Sequence, residues 1–297
     1  MLYRCYAKVN LTLEILNKRA DGFHELASLV HTINLSDVLR VEPADELLSR
    51  VEGLKINSET NLVARAAELL NVTLKQRRGA ALSLVKRVPT AAGLGGGSSD
   101  AAAALVALDA LWNARLGVTR LARLAAELGS DVPFFVRGGA ALLRGRGDEL
   151  EALPPRIGQW LVLLVPAHDV QDKTRRLYAA LQPDDFTSGE LTDRAAQRLK
   201  DREPLEPGEL VNGFGRAARL VFPGLSDMWA HAERLCQRKF MLSGAGPALF
   251  ALAASRADAR EQAAVLARLG GEVYAVRTVK YAQRQIRFAP TDGMEYP

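Results

Sequence analysis

Residues 89–105 read Pro-Thr-Ala-Ala-Gly-Leu-Gly-Gly-Gly-Ser-Ser-Asp-Ala-Ala-Ala-Ala-Leu, a glycine-rich run that passes through Ser-Ser-Asp into an alanine-rich helical pattern. Glycine admits backbone angles and close approaches that other residues resist. A helix starting here offers free N–H groups and the positive end of its dipole. Together these make a cradle for polyphosphate. The bland alternative is a flexible linker. Leu105, Leu108, Leu111 and Trp112 follow at the spacing of a packed helix and argue against it. The spacing also excludes commoner nucleotide loops. No lysine follows Gly97, as a Walker loop needs, and residues 93–98 lack the last glycine of a dinucleotide fingerprint.

The chain has 297 residues, room for one large or two ordinary domains, and its 48% hydrophobic content supplies a full core. The net charge of +5 is small for that length, and the basic residues are scattered without interleaved aromatics. That pattern suits a small anionic ligand and argues against nucleic acid. Cys5 and Cys236 have no metal-ligand spacing and suggest no disulfide framework, so reduced thiols in a cytoplasmic protein are expected. Met1–Lys8 has no apolar signal region, and the uncharged stretch 240–255 is broken by Gly244, Gly246 and Pro247. The reading is a soluble protein without a membrane partner.

Val9, Leu11, Leu13 and Ile15 alternate with Asn10, Thr12 and Glu14, which predicts a strand with one buried face. A polar turn over 17–22 and a strand over 29–41 follow. A helix from Ser58-Glu59-Thr60-Asn61 through Leu70 is expected, with Ser58 or Thr60 as its cap. Residues 81–88 alternate again. Helices are expected over 100–116 and 119–128. The second half predicts a strand over 160–165, helices over 172–181, 191–200, 210–221 and 225–238, strands over 240–242 and 248–253, a helix over 257–269 and a strand over 272–279. Strands and helices mix without strict βαβ alternation, which favours α+β architecture. The boundary falls near Glu151-Ala152-Leu153-Pro154-Pro155, dividing the chain into 1–153 and 154–297. Residues 183–208, with three prolines and many charges, read as a surface excursion.

Phosphoryl transfer needs a phosphate cradle, positive charge near the moving group, and a residue to orient the attacking hydroxyl. Asp131, in Gly129-Ser130-Asp131-Val132-Pro133-Phe134-Phe135, is either a base for that hydroxyl or the cap of a short helix, and the two roles are compatible. Lys8 lies inside the first strand. It faces solvent, as lysines usually do, or it shares a face with Asn10 and pairs with Asp131, placing positive charge near the transferring group. Asp21-Gly22-Phe23-His24-Glu25 is a turn bearing an aromatic and a histidine. Ser98 and Ser99 suit phosphate oxygens better than nucleophilic attack. Ser243-Gly244-Ala245-Gly246-Pro247 is either a plain hairpin or a loop lining a ligand.

Pro89–Leu105 resembles the phosphate loop of the small-molecule kinases grouped as galactokinase, homoserine kinase, mevalonate kinase and phosphomevalonate kinase, and Ser243–Pro247 resembles their C-terminal glycine loop. The opening is narrower. Ala7-Lys8-Val9-Asn10-Leu11-Thr12-Leu13, residues 18–26 and Asp131-Val132-Pro133-Phe134-Phe135 are similar to the kinases of 4-diphosphocytidyl-2-C-methyl-D-erythritol, of the non-mevalonate isoprenoid pathway. The resemblance spans nearly the whole chain. It implies an α+β, two-domain fold, with an N-terminal domain like ribosomal protein S5 domain 2, a ferredoxin-like C-terminal domain and the active site between them. It also implies ATP-dependent phosphorylation of the substrate's 2-hydroxyl, with Asp131 as base and Lys8 as its partner. Asn10 would bind substrate near that hydroxyl. His24 would read the cytosine edge, Phe23 and Tyr178 would stack on the ring, and Leu26 and Thr174 would complete the pocket. Gly93, Gly95, Gly96, Gly97, Ser98 and Ser99 would hold the ATP phosphates, with Asn61, Leu62 and Lys86 on the nucleoside side. Mg²⁺ is expected to arrive with ATP, since magnesium keeps waters and takes few protein ligands, and no protein metal ligand is singled out; the protein would act as a monomer or weak homodimer.

Three segments depart from the family pattern. Phe23 replaces a tyrosine, Val211-Asn212-Gly213-Phe214 has glycine where an acid is common, and Asp172-Lys173-Thr174 replaces Val-Ser-Thr. The alternatives are another kinase of the same superfamily and a non-catalytic nucleotide-binding protein. The base-reading turn at 21–26 argues against the first, and the presence of both Asp131 and Lys8 argues against the second.

Overall fold

A computed structural model describes residues 1–52, 61–167 and 170–286. It opens on a long hairpin of β1 (Leu2–Lys18) and β2 (His24–Glu42), with breaks in register at Tyr6/Lys8, Asn10/Thr12 and Ile15/Asn17. The Arg19 N–H donates to the Phe23 carbonyl at 2.8 Å across the turn, and Asp21 Oδ1 accepts the Phe23 N–H at 3.1 Å. β3 (Leu47–Glu52), α1 (Leu62–Leu74) and β4 (Ala80–Val85) follow. Asn61 caps α1, its Oδ1 accepting the Val63 N–H at 3.0 Å; Ser58 and Thr60 lie outside the described residues. Next come α2 (Gly96–Leu111), α3 (Gly117–Leu128), α4 (Val132–Arg137) and the hairpin β5 (Ala140–Arg144)–β6 (Glu149–Leu153). α1 to α4 cover one face of the first sheet, where Val63, Leu70, Leu105, Leu108 and Phe134 meet Leu39 and Leu82. Ala101 to Ala104 are all fully buried, and their small side chains let α2 lie close against the sheet.

The second half builds a four-stranded antiparallel sheet around β7 (Trp160–Val165). Its other elements are α5 (Lys173–Ala179), α6 (Glu190–Lys200), β8 (Val211–Asn212), α7 (Gly215–Val221), α8 (Leu225–Cys236), β9 (Met241–Leu242), β10 (Leu249–Ala253), α9 (Arg256–Leu266), β11 (Glu272–Arg277) and β12 (Gln283–Ile286). The sheet order is β11-β7-β10-β9. Alternate residues of β7 serve two different cores, as a strand's twofold period requires. Leu161 and Leu163 join Phe250 against Val9, Leu11 and Leu142 of the first sheet, while Val162 and Leu164 pack on Val221, Trp229 and Leu266 of the helices. The two halves are tied further by β8, parallel to β1, and β12, antiparallel to it.

Several expectations change. The polar face of β1 is not solvated: Lys8, Asn10, Thr12 and Glu14 are at most 5% exposed, as buried as the apolar face. Residues 183–208 are not merely a surface excursion, because α6 packs Ala195, Ala196 and Leu199 into the core between the sheets. Thr192 on α6 donates its N–H to Glu14 Oε2 at 2.7 Å and its hydroxyl to Thr12 Oγ1 at 2.9 Å, so the buried polar face of β1 is matched. The helix expected over 210–221 begins only at Gly215. Before it, the Gly213 N–H bonds the Leu13 carbonyl at 2.8 Å and Asn212 Oδ1 takes the Phe214 N–H at 2.9 Å. The helix expected from Asp100 starts at Gly96, inside the glycine run, and ends at Leu111. Among the described residues no helix is long and apolar enough to cross a membrane.

Leu199→Ala tests the placement of α6. As a core truncation it is expected to cost about 2–5 kcal/mol in denaturant unfolding. A loss within about 0.5 kcal/mol, the range of a surface substitution, would contradict it.

Candidate functional site

Four consecutive carbonyls, from Ala91 to Leu94, are each taken by a donor outside the glycine run. Ala91 accepts from the Lys173 ammonium, Ala92 from the Ala248 N–H at 3.1 Å, Gly93 from the Ser243 hydroxyl at 3.2 Å, and Leu94 from the Lys8 N–H at 2.9 Å. The Ser243–Pro247 loop therefore packs directly on the phosphate loop, so it is more than a hairpin. Only glycine fits at Gly93, whose φ is +86° and whose added Cβ would lie 2.1 Å from the Ser243 carbonyl.

With its carbonyls held on one side, the run enters α2 through Gly96, Gly97 and Ser98, whose N–H groups occupy the first turn and have no acceptor within the helix. They border a cavity of about 300 Å³ that also takes in Asn61, Leu62, Lys86, Gly93 and Gly95. The cradle and the expected nucleoside-side residues thus surround one space. Ser99 faces away from it: its side chain is fully buried and donates to the Tyr6 carbonyl at 2.8 Å.

Behind the cavity lies a buried cluster whose aspartates sequence reasoning did not single out. The Lys86 ammonium contacts Asp37 Oδ2 at 2.5 Å and Asp100 Oδ2 at 2.7 Å. Asp37 also accepts the N–H groups of Arg87 and Val88, at 2.5 and 2.8 Å. Burial alone disfavours the Lys86 charge, but the two carboxylates overrule it and hold its pKa above the usual lysine value. One cation shared by two buried carboxylates leaves an excess negative charge. Burial, with Asp37 close by, pushes Asp100 up to about 7 against the pull of Lys86. Asp100 Oδ1 has no hydrogen-bond partner among the described residues. A signal existed in the sequence, since Asp37 interrupts an apolar strand and Asp100 closes the Ser-Ser-Asp motif.

On the other side of the loops, Lys8 donates to Asn10 Oδ1, and its Nζ lies 3.6 Å from Asp131 Oδ2. Asn10 is itself fixed, giving Nδ2 to Ser28 Oγ at 2.8 Å. Gly244 makes room here: at φ +55°, an added Cβ would stand 2.9 Å from Asn10 Oδ1 and 3.1 Å from Lys8 Nζ. Asp131 occupies the cap position of α4, yet its side chain makes no cap hydrogen bond; it is directed to Lys8 and remains 42% exposed. A half-open carboxylate beside a buried ammonium is suited to receive a hydroxyl.

The aromatic pocket is further along α5. The His24 ring stacks on Tyr178 with centroids 4.6 Å apart, and Phe214 meets Tyr178 edge-on at 4.9 Å. Phe186, not anticipated, lies parallel to His24 at 6.1 Å. Burial, with Lys18 nearby, pushes the His24 imidazole below its ordinary value, so it is neutral at pH 7. Phe23 is not in this stack; it is exposed, with the Arg146 guanidinium 4.8 Å over its face. Thr174 is exposed one turn before Tyr178, and Leu26 is buried in the first core. The carboxylates of the site are spoken for by lysines, and among the described residues no group of three or more His, Cys, Asp or Glu could hold a metal ion.

Residues 61–139 match the family described as the GHMP kinases N terminal domain. A 4-diphosphocytidyl-2-C-methyl-D-erythritol kinase from Dehalococcoides mccartyi is 39% identical over 275 residues, 92% of this chain and 96% of that protein. The chain belongs to the 4-diphosphocytidyl-2-C-methyl-D-erythritol kinase family. An Enterococcus faecalis member is 34% identical over 94% of this chain and 99% of its own length. A crystal structure of 4-(cytidine 5'-diphospho)-2C-methyl-D-erythritol kinase superposes with a TM-score of 0.81 at 35% identity, covering 94% of this chain and 99% of that one. The homoserine kinase of Cytophaga hutchinsonii, at 19% identity and a TM-score of 0.73 over 96% of both chains, shares the fold.

The Asp100 cluster makes stability pH-dependent. With a folded pKa of about 7 against an unfolded value near 4, the native state binds more protons than the unfolded chain between those limits, so stability falls as pH rises through that window. Asp100→Asn is expected to flatten this stretch of the curve in denaturant unfolding at several pH values. A variant curve parallel to the wild type would place the titration on another group.

Proposed function

We propose that this chain transfers the γ-phosphoryl group of ATP to the 2-hydroxyl of 4-diphosphocytidyl-2-C-methyl-D-erythritol, giving the 2-phosphate and ADP. The observation that carries the reading is the Lys8–Asp131 pair set against both glycine loops, with α5 leading from those loops to the aromatic pocket. From Lys173 to Tyr178 the helix rises about 7.5 Å, which suits an elongated acceptor with its base at one end and its hydroxyl at the other.

The chemistry divides among the residues. The N–H groups of Gly96, Gly97 and Ser98 hold the phosphates in the cavity, with Asn61, Leu62 and Lys86 toward the nucleoside. The Lys8 ammonium offsets charge that spreads over the phosphoryl oxygens in the transition state. Asp131 accepts the hydrogen bond of the 2-hydroxyl, aligns its oxygen with phosphorus and takes the proton as the O–P bond forms. Asn10, held by Ser28 and Lys8, fixes the reacting end. At the far end Tyr178 stacks on cytosine, and neutral His24 reads its edge. Leu26 and Thr174 line this end in the same reading. Mg²⁺ comes with ATP, where it neutralises phosphate charge and keeps most of its waters. The two lobes of this reading are 1–153 and 154–297. The enzyme works in the cytoplasm as a monomer or weak homodimer, a setting in keeping with its free, buried Cys5 and Cys236.

ADP release from ATP and Mg²⁺ is to be compared with the cytidyl substrate, mevalonate or homoserine as acceptor. Turnover with the cytidyl substrate is expected; turnover with mevalonate or homoserine alone would overturn the assignment. Asp131→Ala is expected to lower turnover by about 10² or more while ATP still binds. Undiminished turnover would remove Asp131 from its role. His24→Ala and Tyr178→Ala are each expected to weaken cytidyl-substrate binding by about tenfold, as lost base stacking does, with ATP binding little changed. Equal losses for both ligands would contradict the pocket's placement.

A further inference from the structure

Lys173 stands where a lysine is hard to accommodate. It opens α5, where the helix dipole disfavours a cation, and it is half-buried with the Lys8 ammonium nearby. Among the described residues no carboxylate forms an ion pair with it. Asp172, the preceding residue, makes an ion pair with Arg175 at 2.9 Å instead, and Asp131 is turned to Lys8. The partners of the Lys173 ammonium are two backbone carbonyls, Ala91 of the phosphate loop and Gly246 of the second glycine loop.

Those two carbonyls belong to different halves of the chain. We propose that Lys173 is a positioning residue, a clasp whose ammonium joins the two glycine loops and so holds the phosphate cradle in register with Lys8, Asn10 and Asp131. The other bonds between the loops are made by uncharged donors, the Ala248 N–H and the Ser243 hydroxyl. An ammonium, with its charge and three donors, binds a pair of carbonyls more strongly than either. The same ammonium keeps the Ala91 carbonyl occupied, which leaves the N–H face of the loop for phosphate.

The clasp is strongest while charged, since a neutral amine keeps two donors but makes weaker hydrogen bonds to the same carbonyls. Burial and the neighbouring Lys8 push the Lys173 pKa down to about 8, so the ammonium is lost as pH rises through that value. Among the described residues the charged groups beside it are Lys8 on β1, itself paired with Asp131, and the Asp172–Arg175 pair on its own segment.

The proposal rests on phosphoryl transfer at Lys8 and Asp131, but its test need not. Lys173→Met keeps the length and removes the charge; Lys173→Arg keeps the charge at every accessible pH. Amide hydrogen exchange on the protein without ligands is expected to quicken at 91–95 and 244–246 in Lys173→Met and to stay near wild type in Lys173→Arg. In turnover assays Lys173→Met is expected to lose about tenfold or more in kcat, as misplaced reacting groups do, with thermal stability little changed. Wild-type kcat should decline above about pH 8, and Lys173→Arg should lack that decline. Unchanged exchange at both loops in Lys173→Met would overturn the clasp whatever the substrate proves to be. So would an alkaline decline in Lys173→Arg that matches the wild type. Failure of the wild type to phosphorylate the cytidyl substrate would instead overturn the functional reading and leave the exchange result standing.

Discussion

The site depends on how four backbone carbonyls are occupied. Peptide units 91–94 point their oxygens at Lys173, Ala248, Ser243 and Lys8, which lie on α5, beside β10, in the second glycine loop and on β1. A run this rich in glycine has little conformational preference of its own. The donors that meet it from three directions select one path, and that path carries the chain into α2 with its first N–H groups directed at the cavity. The run is thus held in place by contacts on the side away from the cavity.

The same packing explains why so many charged and polar side chains are buried. Lys8, Asn10, Thr12 and Glu14 lie on β1 between the two sheets and the loops that cover them. Each buried polar group needs a partner, since an unmatched one costs about 1–3 kcal/mol. Glu14 finds the Thr192 N–H, Thr12 finds the Thr192 hydroxyl, Asn10 finds Ser28, and Lys8 finds Asn10 and Asp131. Only the last of these contacts opens to solvent, through the half-exposed Asp131. Two lysines thus take their carboxylates in different ways. Lys86 is held between the buried Asp37 and Asp100 at the cavity, while Lys8 pairs with the half-exposed Asp131.

Local signals in the sequence were followed closely where one period ran without interruption. β7 matches its apolar run residue for residue, and α3 ends at Leu128 just before Gly129. Elsewhere a long-range contact overrides the local pattern. Helical periodicity over 210–221 gave way at Val211–Asn212 because β1 captured that stretch as a parallel strand. The prolines and charges of 183–208 pointed outward, but Ala195, Ala196 and Leu199 on one face of α6 found a gap between two sheets. Asp37 and Asp100 were missed as a pair because 63 residues separate them and only the fold sets Lys86 between them.

Residue order and type were enough to specify the glycine cradle, the Asp131 and Lys8 candidates, the histidine turn and the mixed architecture, because each rests on a local pattern whose chemistry travels with it. Folding settled which surfaces of those patterns are used. It turned Ser99 inward to Tyr6, left Phe23 outside the aromatic stack, buried Lys8 and set Lys173 across two loops. These outcomes depend on which donor, acceptor or apolar face arrives from elsewhere in the chain. Such neighbours are fixed by packing between the lobes, and no spacing within a single segment encodes them.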